Sequence, residues 1–193
     1  MKNYIFILRH GPTKNDIIKY ESFINLLPNI MNYIKNFFTE NNIELNNMNI
    51  NIHTSEFERC FLTGKIIKSY FKVLQYSPNK LTGNNESMIK IVKKHDLRRW
   101  NKGVEERENS INRSYNYGKK IYNEKKKIVS EKCTLNIYVT HSSIIPFFIC
   151  GLAGLNKNHY KKIKLTTASL TIINVDTREV EVFNKDHHNN DLL

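Results

Sequence analysis

A three-layer α/β/α sandwich around a mainly parallel central sheet is the fold class this sequence predicts. Three observations carry the prediction. Short apolar runs of strand length alternate along the chain with longer stretches at helical spacing. The most informative polar segments directly follow those strands, as expected where a ligand binds beyond the carboxyl ends of a parallel sheet. The chain has 193 residues, 40% of them hydrophobic and 11% aromatic, enough for one sizeable core. The expected organisation is a single domain over residues 1–184, with 77–110 as an excursion beside the site, and a flexible tail over 185–193.

Residues 3–8 form an apolar run that suits a buried strand, stopped by Gly11 and Pro12 in the loop Arg9-His10-Gly11-Pro12-Thr13. Pro28 opens a helix to about Glu40, with Ile30, Met31, Ile34, Phe37 and Phe38 at helical spacing and proline in its favoured first turn. Residues 46–53 alternate Met48, Ile50 and Ile52 with polar residues, which predicts a second strand. Thr54-Ser55 then starts a helix on a hydroxyl N-cap, with Phe57, Phe61, Leu62, Ile66, Ile67 and Tyr70 as its apolar face. Residues 73–76 read as a short third strand.

Residues 77–110 are polar, with Gly83 and Gly103 as breakers. A basic helix covers about 111–130, where Lys119-Lys120 and Lys125-Lys126-Lys127 read as one solvated face. Residues 135–140 form a clear strand, followed by His141-Ser142-Ser143 and an apolar helix to about Leu152. Residues 170–175 and 179–183 make a closing hairpin around Asp176-Thr177-Arg178. The end of the chain, from Lys185, has the composition of a flexible tail.

The net charge of +12 is compatible with nucleic acid, an anionic membrane or a negatively charged small substrate. The lysines are dispersed through a Lys-, Asn- and Ile-rich composition, with no aromatic–basic repeat and no nucleic-acid module, so no nucleic-acid partner is expected. No membrane association is expected either. The longest apolar stretch, 144–155, contains Pro146 and Gly151 and falls short of the about 20 residues a spanning helix needs. The N-terminal run reads as a strand rather than a signal peptide. Cys60, Cys133 and Cys150 have no metal-binding or disulfide spacing, which fits a reducing, cytoplasmic compartment. The oligomeric state is left open.

Two histidines and two arginines at strand ends would build a strongly cationic pocket. Arginine offers a planar fork that matches phosphate oxygens. Neutral imidazole is a competent nucleophile towards phosphorus, and Gly11 lets a bound group approach His10 closely. His141 would stabilise charge on the transferring group, and the backbone N–H groups of Ser142 and Ser143, ahead of a helix, would face the anion. Positive side chains can serve as the electrostatic clamp, so neither metal nor cofactor is required.

The residues Phe6-Ile7-Leu8-Arg9-His10-Gly11-Pro12-Thr13 resemble the signature of the histidine phosphatase superfamily, phosphoglycerate mutase-like branch. Ser55, Arg59 and Thr63 resemble its second block, Val139-Thr140-His141 its third, and residues 167–171 its last strand. The resemblance implies a phosphohistidine at His10 and a phosphoryl group bound by Arg9, Thr13, Arg59, His141 and Ser142. It implies phosphoryl transfer to water, or back to substrate as in a mutase. The partner would be a phosphorylated small molecule or a phosphoprotein.

Two positions depart from the pattern. Asp16 stands where an asparagine is common, with Asn15 beside it. Arg99 stands where these enzymes commonly place a glutamate as general acid, and arginine cannot donate a proton at neutral pH. Glu106 is the candidate replacement, with Glu105 and Asp96 as alternatives. Two other readings remain open at this point. The enzyme could lack a dedicated acid and act only on good leaving groups, or the chain could bind phosphate without turnover. Arg98 and Arg99 are either a solvated loop or ligands for a second negative charge.

Overall fold

The computed structural model describes residues 3–14, 17–18, 20–43, 48–75, 89–101, 103–127, 134–162 and 165–186. The first apolar run is β1 (Tyr4–Arg9), buried in all but its last residue. Two-residue strands β2 (Thr13–Lys14) and β3 (Ile17–Ile18) form a small antiparallel ribbon after it. Helix α1 (Tyr20–Glu40) begins eight residues before Pro28, which lies inside it rather than at its start. Proline removes one hydrogen bond, to the carbonyl four residues back. That carbonyl belongs to Ile24, an exposed residue, while Phe23 and Leu27 bury the additional turns against the core. Packing here overrides the local breaker signal.

Strand β4 (Asn49–Thr54) shows the expected alternation of burial. Helix α2 (Glu58–Gln75) starts three residues after Ser55, so Ser55 is not its N-cap. Residues 73–75, expected in a strand, form the last turn of α2; the helical spacing of Ile67 and Phe71 continues into them without a breaker. Strand β5 (Ile89–Lys93) lies within the stretch read as a polar excursion, most of whose earlier part falls outside the described residues. Only Ile89 and Ile91 pack inward, which is why so sparse a strand hides in the sequence.

Helix α3 (Arg107–Lys127), strand β6 (Thr134–Thr140) and helix α4 (Ile145–Ala153) follow. Strands β7 (Leu170–Asn174) and β8 (Val180–Lys185) close the sheet as the expected hairpin. Residues 167–168 form a turn ahead of β7, so only Leu170 and Thr171 of the predicted last-strand block are in the strand. Lys185 ends β8, and residues 187–193 of the predicted tail lie outside the described residues. No helix among the described residues is long and apolar enough to cross a membrane.

The six strands run in the order β5-β4-β6-β1-β7-β8. The first four are mutually parallel, and β7 and β8 are antiparallel additions. One face carries α1 and α2, packed through Phe23, Ile30, Met31, Phe38, Ile67 and Phe71. The other carries α3 and α4, packed through Tyr117, Ile121, Phe148, Ile149 and Leu152. These are the three layers the alternation predicts. Each fully buried side chain of this size contributes about 1.5–3 kcal/mol. Lys125, predicted on a solvated face, is instead half-buried at the sheet, where its ammonium donates to Asn136 Oδ1 at 3.0 Å.

The register sets the position of the site. Arg9 pairs with Thr140, and Thr54 pairs with Val139, so β1, β4 and β6 end level with one another. The next residues, His10, Ser55 and His141, therefore emerge side by side at one sheet edge. Strand β5 ends at the same edge, where Lys94 N–H donates to Thr54 O at 2.7 Å.

Candidate active site

The loop after β1 is fixed by its backbone. His10 N–H donates to Thr140 O at 3.0 Å, and Ala168 N–H donates to His10 O at 3.3 Å. Gly11 N–H donates to Thr63 Oγ1 at 3.1 Å, and that hydroxyl donates to Arg59 O at 2.7 Å. Helix α2 thus locks the loop through Thr63. The His10 ring is buried, and its Nδ1–H donates to Gly11 O at 2.8 Å. A carbonyl can only accept, so the neutral ring carries its proton on Nδ1 and its lone pair on Nε2.

The His141 ring lies 5.2 Å from that of His10, centroid to centroid, at 61°. Arg59 Nε–H donates to His141 Nδ1 at 3.3 Å, which requires a lone pair there. The His141 proton is therefore on Nε2, which donates to Ser55 Oγ at 3.0 Å. Cys60 Sγ stands 3.3 Å from the same nitrogen, and the Phe57 ring packs against the imidazole at 5.2 Å. The guanidinium groups of Arg59 and Arg99 lie 5.2 and 5.6 Å from the Phe57 ring centroid. Arg9 Nη1 donates to Leu165 O at 2.7 Å. Its buried Nε has no partner among the described residues, a donor that an oxyanion would satisfy.

No family model matches the chain, and no curated protein matches it in sequence. Solved structures do match. Phosphoserine phosphatase from Entamoeba histolytica, in complex with 3-phosphoglyceric acid, superposes with a TM-score of 0.60 at 15% identity, over 96% of this chain and 98% of that one. A mycobacterial glucosyl-3-phosphoglycerate phosphatase gives 0.61 at 13% identity, over 95% and 99%. Phosphoglycerate mutase from Plasmodium falciparum gives 0.55 at 14% identity, over 95% and 91%. The fold is that of the histidine phosphatases. At this identity the likeness concerns the fold alone.

On this histidine phosphatase fold, the structure brings His10, Arg9, Arg59 and His141 to one sheet edge. Thr13 stands half-buried in β2, and Ser142 and Ser143 are exposed in the turn before α4. Asn15 and Asp16 fall outside the described residues. Glu105 is committed to Arg113, which donates to both carboxylate oxygens at 3.0 and 2.8 Å. That bond holds the Glu105 carboxyl below its usual range, with added help from Arg98. Glu106 is exposed, and its backbone carbonyl accepts from Ser110 N–H. Asp96 sits in a short 3-10 turn (His95–Leu97), its carbonyl bound by Arg113 at 2.7 Å. Neither Glu106 nor Asp96 lines the cavity of about 260 Å³ that Phe57, Arg98 and Arg99 form with Glu105. Spacing did not mark Thr63 as the anchor of Gly11 or Arg113 as the clamp on residues 95–105. Both act through distant partners. Among the described residues, no group of three or more His, Cys, Asp or Glu is placed to hold a metal ion.

Burial pushes the His141 pKa down to about 2, helped by His10 when that ring is protonated and by the positive charges of Arg59, Arg99 and Arg9. His53, stacked on Tyr138 at 4.5 Å, is pushed down to about 4, chiefly by burial. Both are neutral in the folded chain, whereas an unfolded histidine protonates near about pH 6.5. Below that pH the unfolded state binds more protons, so stability is at its full value above it and falls as pH drops. The loss runs down to about pH 4 for His53 and about pH 2 for His141. The urea midpoint should be lower at about pH 5 than at about pH 7, and His53→Gln should shrink the difference. Equal midpoints would mean that both rings are already charged in the folded protein.

Proposed function

We propose that this chain is a member of the histidine phosphatase superfamily and a metal-independent phosphomonoester phosphatase working through a phosphohistidine at His10. The observation that carries the reading is the tautomer of His10. Its Nδ1–H donates to Gly11 O, so Nε2 is the nitrogen whose lone pair would attack phosphorus, in a pocket of fixed positive charge. The phosphoryl oxygens would be taken by Arg9, through its unsatisfied Nε, and by Arg59 and His141, with Thr13 and Ser142 at the margin. An incoming dianion would favour protonation of His141, so that it could donate to a phosphoryl oxygen. Phosphatases and a mutase share the fold, which supports phosphoryl transfer as the reaction class. The substrate would be a phosphorylated small molecule or a phosphoprotein.

The test is an incubation of the full chain with an aryl phosphate in the presence of a chelator, quenched under alkaline conditions that preserve phosphohistidine. Release of phosphate, together with a phosphoryl group mapped to His10, is the expected result. Folded protein that binds phosphate but neither turns over nor becomes phosphorylated would instead be a phosphate-binding relative of such enzymes. Return of the phosphoryl group to a second hydroxyl of the substrate, rather than to water, would make it a mutase.

A further inference from the structure

We propose that Arg99 faces the leaving group and confines this chain to phosphoryl groups carried on acidic oxygens: acyl phosphates, phosphoanhydrides and aryl phosphates rather than alkyl phosphates. The inference rests on the phosphatase reading and deepens it to a substrate class. Its basis is the loop that follows β5. Leu97 is fully buried, and its carbonyl accepts from Thr140 Oγ1 at 2.6 Å, one residue before His141. That anchor sets Arg98 and Arg99 directly beside the strand-end pocket. The Arg99 guanidinium lies 5.6 Å from the Phe57 ring, which packs on His141 at 5.2 Å, and its charge is among those that depress the His141 pKa. Arg99 therefore belongs to the same electrostatic environment as the residues assigned to the phosphoryl group, while opening on the adjoining cavity where the remainder of a substrate would lie.

Among the described residues, two carboxylates also line that cavity, and both are engaged. Glu105 is held ionised by Arg113, with Arg98 3.7 Å away. Glu56 is exposed and paired with His95 at 3.1 Å. Arginine remains protonated, so it can stabilise a departing anion by charge and hydrogen bonding but cannot hand over a proton. The step balances without one. The Nε2 lone pair of His10 forms the N–P bond, and the P–O bond to the leaving group breaks with its electron pair on the leaving oxygen. The anion departs past Arg99 and is protonated by solvent if its pKa requires it. Water then forms a P–O bond, the N–P pair returns to Nε2, and the water proton passes to solvent. With no proton supplied during P–O cleavage, the rate follows the intrinsic acidity of the leaving group. Phosphoserine, an alkyl phosphate bound by a protein of the same fold, is on this reading a poor substrate here.

The test is kcat/KM for nitrophenyl phosphate, phenyl phosphate and an alkyl phosphate, measured on the full wild-type chain and on Arg99→Glu and Arg99→Met. Wild type should hydrolyse the alkyl phosphate at least about 10²-fold more slowly than nitrophenyl phosphate, within the range a positioned acid supplies. Arg99→Glu places a carboxylic acid at the leaving oxygen and should raise the alkyl-to-nitrophenyl ratio by about tenfold or more. Arg99→Met should lower turnover of every substrate and leave the steep dependence on leaving-group acidity. Wild type that hydrolyses the alkyl and nitrophenyl esters at similar rates would overturn the inference and leave the phosphatase reading standing. Failure of all three esters, with no phosphorylation of His10, would overturn both.

Discussion

His10→Ala is expected to lower kcat/KM for an aryl phosphate by about 10⁴-fold or more, the scale on which loss of a covalent nucleophile acts. The substitution removes the Nε2 lone pair and little else of the pocket. The loop keeps its backbone bonds from His10 N–H to Thr140 O and from Ala168 N–H to His10 O, because neither uses the imidazole. Arg59, Ser55 and His141 keep their mutual hydrogen bonds. Phosphate binding, followed by calorimetry, should therefore survive within about an order of magnitude while turnover disappears. Arg59→Met should do the reverse at the binding step, because it removes a buried cation and the donor to His141 Nδ1. A His10→Ala protein that still hydrolysed the ester at the wild-type rate would sink the phosphohistidine mechanism.

The second large effect is on stability. Gly151→Ala is expected to destabilise the chain by about 3 kcal/mol, at the upper end of ordinary overpacking. Glycine to alanine inside a helix normally gains up to about 1 kcal/mol; here the sign reverses. Gly118 of α3 and Gly151 of α4 face one another. A Cβ built on Gly151 would collide with the Tyr115 carbonyl oxygen and stand 3.1 Å from Gly118 Cα and Lys119 N. All three are backbone atoms, so relief requires the helices to separate. At about 2–4 °C per kcal/mol for a chain of this size, Tm should fall by roughly 6–12 °C. Scanning calorimetry of Gly151→Ala against Gly118→Ala would check this. The latter should behave alike, because its Cβ would lie 2.5 Å from Phe148 O. An unchanged or raised Tm in both would show that α3 and α4 do not pack this closely in solution. Helix α4 directly follows His141, so the same displacement should also reduce turnover.

The alternation of apolar runs and helical stretches was enough to predict the layered α/β architecture, because burial at period two and period three to four is written locally in the residues. Strands β1, β4 and β6 were legible in that way, and so were the polar residues that follow them. Pro28 was misleading for the complementary reason. The breaker signal is local, but burial of Phe23 and Leu27 is tertiary and outweighs one lost hydrogen bond. Strand β5 was illegible because an edge strand with only two inward side chains carries almost no periodic signal.

The sequence by itself determined the order of the elements and which residue types stand at the strand ends: Arg9 and His10, Ser55 with Arg59, and His141. Tertiary structure alone decided what those groups can do. The parallel register levels three strand ends, so that residues more than eighty positions apart meet. Burial, with the guanidinium groups of Arg59, Arg99 and Arg9 nearby, keeps His141 neutral. Arg113, an ordinary member of a basic helix by sequence, reaches across to bind the Glu105 carboxylate and to hold the loop that carries Arg99. Such pairings depend on the positions of distant backbones, which periodicity and spacing do not encode, and the electrostatics of the pocket follows from them.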